Sequence, residues 1–84
     1  MAENMRLDQF LSKVGIIKRR TVAKEMADSG LIKINGRRGK PAAEIKTGDI
    51  ISVGGNRQIT IEVNNLPSGN VKKEERESYF KRLD

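Results

Sequence analysis

The spacing of apolar residues changes abruptly along this chain, and this change constrains the fold more than any other feature of the sequence. Apolar residues recur at helical spacing over residues 7–14 and 18–29, whereas over 32–34 and 59–63 they alternate with polar residues, as in strands. We therefore predict an α+β fold in which two packed N-terminal helices precede a small, mostly antiparallel twisted sheet. The predicted helix faces consist of Leu7, Phe10, Leu11, Val14, Val22, Ala23, Met26 and Ala27.

Glycines mark the ends of these predicted elements. Gly15 is expected to end the first helix and Gly30 the second, because glycine adopts the left-handed conformation that follows many helices. Asn35-Gly36 predicts a tight turn after the first strand. Gly54-Gly55-Asn56 is expected to close a later hairpin onto Ile59, Ile61 and Val63.

At 84 residues the chain is long enough for one domain. We assign residues 1–66 to this domain and residues 67–84 to a charged C-terminal tail. The tail keeps Tyr79, Phe80 and Leu83 close together. Two interpretations stay open: a short helix that docks on the sheet, or a mobile arm that becomes ordered on a partner.

The positive charge is concentrated in one stretch of the chain. Residues 18–40 contain eight basic and two acidic residues, which gives the whole net charge of +6, and the rest of the chain contains nine of each. A concentrated surplus of this kind is typical of a protein with a polyanionic partner.

The basic stretch contains two groups of candidate nucleic-acid contacts. Arg20 and Lys24 share one face of the second predicted helix, with Lys18 and Arg19 at its start, although cations there oppose the helix dipole. The second group follows the Asn35-Gly36 turn. Phosphate binding and an ordinary solvated face are the competing interpretations, and the clustering favours phosphate. The second group consists of Arg37, Arg38 and Lys40.

Two further polar residues are ambiguous. Asn35 is explained most simply by the turn, although its amide is also a candidate RNA contact. Arg6 either pairs with an acid such as Asp8 or lies on the same surface as Arg20.

Other classes of function find little support in the composition. The chain has no histidine and no cysteine, so we expect no catalytic residues, no metal and no cofactor. Three aromatic residues are too few for a stacking platform, which favours structured RNA over single strands. No apolar run is long enough to span a bilayer, and we expect a cytoplasmic monomer without a membrane partner. An acidic protein surface is a rival partner for the basic stretch.

An ordered set of short motifs over residues 5–53 resembles the RNA-binding domain named after small-subunit ribosomal protein S-four. The resemblance implies two packed helices with a basic face and a small sheet, in agreement with the periodicity. The motifs are Arg6-Leu7-Asp8, Phe10-Leu11, Lys18-Arg19-Arg20-Thr21, Ala23, Gly30, Ile34-Asn35-Gly36, Lys40-Pro41 and Gly48-Asp49.

Within this family, the chain is similar to the stand-alone RqcP family of bacterial ribosome-associated quality control. The similarity extends over Met5-Arg6-Leu7-Asp8, Ile17-Lys18-Arg19-Arg20-Thr21, Ala23-Lys24-Glu25, Ala27-Asp28 and, in the tail, Lys72-Lys73-Glu74-Glu75 and Tyr79. It implies binding to rRNA of the large ribosomal subunit and to peptidyl-tRNA. It also implies support of a partner factor that adds C-terminal alanine tails to stalled chains, with Arg6 and Arg20 as principal contacts. A ribosome-assembly or heat-shock-type factor that binds structured rRNA is the alternative.

Overall fold

Two helices precede the sheet in the computed structural model, which describes residues 4–55, 58–67 and 72–83. Helix α1 spans Leu7–Lys13 and buries Leu7, Phe10 and Leu11 completely. Gly15 follows at φ 79°, in the left-handed region, and ends the helix as predicted.

Helix α2 spans Arg20–Asp28 and begins two residues later than predicted. Ile17 is buried and donates its backbone N–H to Leu11, so the chain must leave the core in an extended conformation before the helix can start. The prediction of Val22 as part of the buried stripe was also wrong, since Val22 is 40% exposed. Ala23 and Ala27 are buried as expected, and their small side chains allow α2 to pack closely on α1.

The sheet has five strands, and every neighbouring pair is antiparallel. Its spatial order is β3-β2-β5-β6-β7, and the short strands β1 and β4 form a separate pair. These findings confirm the α+β class. The strands are β1 Met5–Arg6, β2 Ile32–Ile34, β3 Arg37–Arg38, β4 Glu44–Ile45, β5 Ile50–Val53, β6 Ile59–Val63 and β7 Phe80–Arg82.

The core lies between the two helices and one face of the sheet. Ile32, Ile51 and Ile61 come from three neighbouring strands and have no exposed surface, which confirms the alternation predicted for the strands. Full burial of such a side chain stabilises the fold by about 1.5–3 kcal/mol. The Asn35-Gly36 turn joins β2 to β3 with both residues at positive φ, as the dipeptide predicted. Asn56 of the predicted hairpin connection lies outside the described residues.

The C-terminal segment contributes a strand to the sheet. A 3₁₀ helix at Lys73–Ser78 precedes β7, in which Phe80 pairs with Val63 of β6. Tyr79 and Phe80 pack against the core, and the Arg76 side chain lies over Gly15 at the end of α1. Of the two interpretations of the tail, the described residues resemble the docked segment more closely, as a 3₁₀ turn and an edge strand in place of an α-helix.

Candidate nucleic-acid interface

A buried carboxylate joins two arginines that are far apart in the sequence. Asp8, in the first turn of α1, is 2% exposed, and its two oxygens each accept a hydrogen bond from Arg6 at 3.2 Å. The Nε of Arg20, the first residue of α2, lies 3.5 Å from Oδ2 of the same carboxylate. Both arginine side chains stay about half exposed, so each keeps N–H groups that face solvent. Asp8 thus holds two guanidinium groups side by side at the surface.

Sequence reasoning offered Asp8 as a partner of Arg6 but missed its contact with Arg20. No local signal indicates that contact, because it depends on how α1 packs against α2. The same packing answers the question left open for Arg6, which both pairs with Asp8 and lies on the surface that carries Arg20.

A concave depression of about 500 Å³ lies beside this pair of arginines. Four cations from three segments line it: one precedes α1, one lies on α2, and two come from β3 and the loop after it. Lys24, one turn after Arg20 on α2, is exposed. The lining residues are Arg6, Lys24, Ala27, Asp28, Arg38, Lys40, Pro41 and Ala42.

Backbone hydrogen bonds fix the loop that forms one wall of the depression. α1 has no side-chain cap, and its first N–H groups are satisfied by the loop instead: Leu7 donates to the Ala43 carbonyl at 2.9 Å and Asp8 to that of Pro41 at 3.2 Å. Gly39 is buried at the start of this loop, where a Cβ would lie 2.9 Å from Cδ2 of Leu7. Only glycine therefore allows the loop this close to α1.

Arg38 ties the same loop to the end of α2. Its guanidinium donates a hydrogen bond to the main-chain carbonyl of Asp28, in the last turn of the helix, where carbonyls are unpaired and a cation suits the helix dipole. Sequence analysis placed Arg37 and Arg38 after the Asn35-Gly36 turn without assigning them to a strand, whereas the structure places them in a short strand paired with β2. The Asn35-Gly36 turn sets this register.

The other predicted contacts lie apart from the depression. Lys18 and Arg19 are exposed before α2, whose first turn contains neither an acidic residue nor a side-chain cap, so positive potential accumulates there. Arg37 is exposed on β3. The Asn35 side-chain amide is exposed but is engaged in hydrogen bonds within the chain: it donates to Oδ1 of Asp49 at 3.2 Å and accepts from the Ile50 N–H at 3.0 Å.

Residues 4–55, 58–67 and 72–83 contain neither a metal-binding cluster nor a membrane-spanning helix. No group of three or more acidic side chains there is arranged to hold a metal ion. None of the helices in this part of the chain is long and apolar enough to cross a bilayer.

Two helices that present a cationic surface, followed by an antiparallel sheet, define a small RNA-binding protein of the S4 type. Residues 5–51, more than half of the chain, match the family model for the S4 domain. With the relatives described next, this match shows that the chain belongs to the S4 domain family and, within it, to the proteins named RQC P-site tRNA stabilizing factor.

Proteins with that name from three bacteria are similar in sequence. The Bacillus subtilis protein is 45% identical over 76 residues, which cover 89% of this chain and 88% of that protein. The Streptococcus pneumoniae protein is 47% identical over 60 residues, covering 70% and 68%. The Helicobacter pylori J99 protein is 49% identical over 49 residues, covering 58% of each chain.

Two solved structures share the fold. Heat Shock Protein 15 of Vibrio cholerae, solved as a trimer, superposes with a TM-score of 0.87 at 26% identity, over 96% of this chain and 83% of that one. The solution structure of a hypothetical protein gives a TM-score of 0.81 at 32% identity, over 95% and 98%. Both likenesses extend beyond the 5–51 match and into the C-terminal segment.

Proposed function

We propose that this chain binds structured rRNA of the large ribosomal subunit together with peptidyl-tRNA and holds a stalled complex in a productive state. In this role it supports the C-terminal alanine tailing of stalled nascent chains by a partner factor. It acts by binding and orientation, and no catalytic step is assigned to it. The names of its relatives, which refer to P-site tRNA in ribosome-associated quality control, support this proposal.

The observation that carries the proposal is the convergence of cations on one surface. Arg6, Arg20, Lys24, Arg38 and Lys40 come from three segments, and they border one depression or the Asp8 carboxylate beside it. RNA phosphates are the polyanionic array that such a surface fits, because each contact releases condensed counterions. Lys18 and Arg19 extend this surface past the start of α2.

Six of the predicted contacts then divide into four roles. Arg6 and Arg20 present paired guanidinium groups to phosphates, and Lys24 and Lys40 contribute single charges. Asn35 acts through the turn that positions β3, and Arg37 is a peripheral contact.

The proposal is tested by cosedimentation with large subunits that carry peptidyl-tRNA, compared with empty large subunits. Lys24→Gln and Arg20→Gln should each weaken binding, and Lys24→Gln should lower the slope of log affinity against log salt by about 1. Lys81→Gln is the matched control, because β7 lies at the opposite edge of the sheet from β3, roughly 19 Å away at four strand spacings.

An equal loss of affinity for large subunits in Lys81→Gln and Lys24→Gln would contradict the proposed surface.

The structural likeness to Heat Shock Protein 15 favours one rival role, that of a heat-shock-type or ribosome-assembly factor that binds structured rRNA without a role in tailing. Equal binding to subunits with and without peptidyl-tRNA, together with normal alanine tailing in cells that lack this protein, would favour the rival role.

A further inference from the structure

The depression between α2 and the loop after β3 has an apolar floor inside its cationic rim. Of the three apolar residues that line it, Ala27 is 1% exposed, whereas Pro41 and Ala42 present a pyrrolidine ring and a methyl group to solvent among the cations. Phosphates alone gain no binding energy from an apolar surface, since they are bound best by positive charge and N–H groups. The floor therefore indicates a ligand that has an apolar surface as well as negative charge.

The rim contains two kinds of cation. Arg6 forms an ion pair with the Asp8 carboxylate, and Arg38 donates a hydrogen bond to the Asp28 carbonyl. Both side chains are therefore held in place at the edge of the depression. The side chains of Lys24 and Lys40, by contrast, make no hydrogen bond or ion pair with the residues that the structure describes. These two exposed ammonium groups, one from α2 and one from the loop after β3, can contact two successive phosphates of a strand that enters and leaves the depression.

The volume fits one nucleoside. At about 500 Å³ the depression falls within the roughly 300–1,000 Å³ of ordinary small-molecule sites, and it is open on one side. A base that stays paired and stacked inside a helix cannot reach such a floor, whereas a base that has left the stack can.

We infer that the depression receives a single unpaired nucleotide of structured RNA. Its base or ribose rests on Pro41 and Ala42, and its flanking phosphates contact Lys24 and Lys40. This inference rests on the proposed function and specifies which RNA the surface prefers: a helix with an extruded nucleotide rather than an uninterrupted duplex.

The test compares two labelled RNA hairpins of equal length, one fully paired and one with a single-nucleotide bulge in its stem. The unchanged protein should bind the bulged hairpin about 10-fold more tightly, because base burial adds to the phosphate contacts. Ala42→Trp fills the floor and leaves all four cations in place. It should abolish the preference while affinity for the paired hairpin changes less than about 2-fold, within the range of a neutral surface substitution.

Thr47→Trp is the matched control, since Thr47 is exposed in the turn before β5 and does not line the depression. It should keep the full preference for the bulge. Ala42 is exposed, lies in the turn closed by the Ala43 N–H and Lys40 carbonyl, and has no positive φ, so a larger side chain is compatible with the backbone. Circular dichroism checks the fold, and Ala42→Leu replaces the tryptophan variant if that variant unfolds.

Equal affinity of the unchanged protein for both hairpins, or an intact preference in Ala42→Trp, would overturn the inference. The proposed function would survive either result, because it is judged by binding to subunits and by the Lys24→Gln comparison. Competition is also measured with free cytidine and adenosine monophosphates. Free nucleotides that compete as strongly as the bulged hairpin would show a mononucleotide site and would likewise overturn the inference.

Discussion

Replacing Asp8 by asparagine separates two explanations of how the paired arginines bind RNA. Asparagine is nearly the same size, so the packing of α1 is kept, but the charge that holds Arg6 and Arg20 is lost. If charge alone governs binding, loss of a negative group beside the interface should strengthen it. If fixed orientation of the arginines governs binding, the same change should weaken it.

The estimated free energies favour the explanation by fixed orientation of the arginines. The repulsion that asparagine removes is about 2 kcal/mol for a carboxylate roughly 8 Å from a phosphate at the effective dielectric near a protein surface, and ionic screening at physiological salt lowers it to below about 1 kcal/mol. Two released arginines must instead be ordered when RNA binds, at about 0.5–1.5 kcal/mol each. We therefore expect Asp8→Asn to weaken RNA binding by about 1–2 kcal/mol, or roughly 5- to 30-fold.

Stability should fall as well, for a separate reason. The two ion pairs are half exposed, and each is expected to contribute about 0.2–1 kcal/mol, with about 0.3–1 kcal/mol more from the carboxylate in the first turn of α1. A loss of about 1–2 kcal/mol in the free energy of unfolding follows, which chemical denaturation can measure. Binding is therefore measured at a temperature where both proteins are folded.

The control for this prediction is Glu25→Gln. It removes a negative charge from an exposed position on α2 and releases no arginine whose contacts the structure describes. Its RNA affinity should stay the same or rise slightly. Should Asp8→Asn also bind RNA more tightly than the parent protein, the orientation argument would be refuted and Asp8 would act only as a repulsive charge.

Two further predictions concern the elements that position the interface, and urea unfolding measures both. Asn35→Ala should lower the free energy of unfolding by about 1–3 kcal/mol, because a left-handed residue and the hydrogen bonds to Asp49 and Ile50 are lost together. Asn35→Gly relieves only the backbone strain and should recover part of the loss; full recovery would show that the side-chain bonds contribute nothing. Gly39→Ala should lower the free energy of unfolding by about 1–3 kcal/mol, because the added methyl group would lie too close to the Leu7 side chain. An unchanged urea midpoint would mean that the loop shifts to accommodate the methyl group at no cost.

Local features of the sequence predicted much of the fold. The helical spacing of Phe10 and Leu11 and the turn signal of Asn35-Gly36 depend on neighbours a few residues away, and the structure confirms them. The start of α2 was misplaced because it is set by burial of Ile17, a tertiary contact. The strand at Phe80–Arg82 was missed because a three-residue segment shows no periodicity of its own and becomes a strand only by pairing with β6.

The same distinction between local sequence features and tertiary contacts applies to the candidate interface. The sequence by itself determined that positive charge is concentrated in residues 18–40 and that it lies on one helix and the segment after a tight turn, because composition and turn chemistry are local properties. Only the tertiary structure decided that Asp8 joins Arg6 to Arg20 and that Lys24 and Lys40 line one depression together with apolar residues. Those relations arise because α1, α2 and the loop after β3 pack on one core, and packing brings together side chains that no spacing along the chain relates.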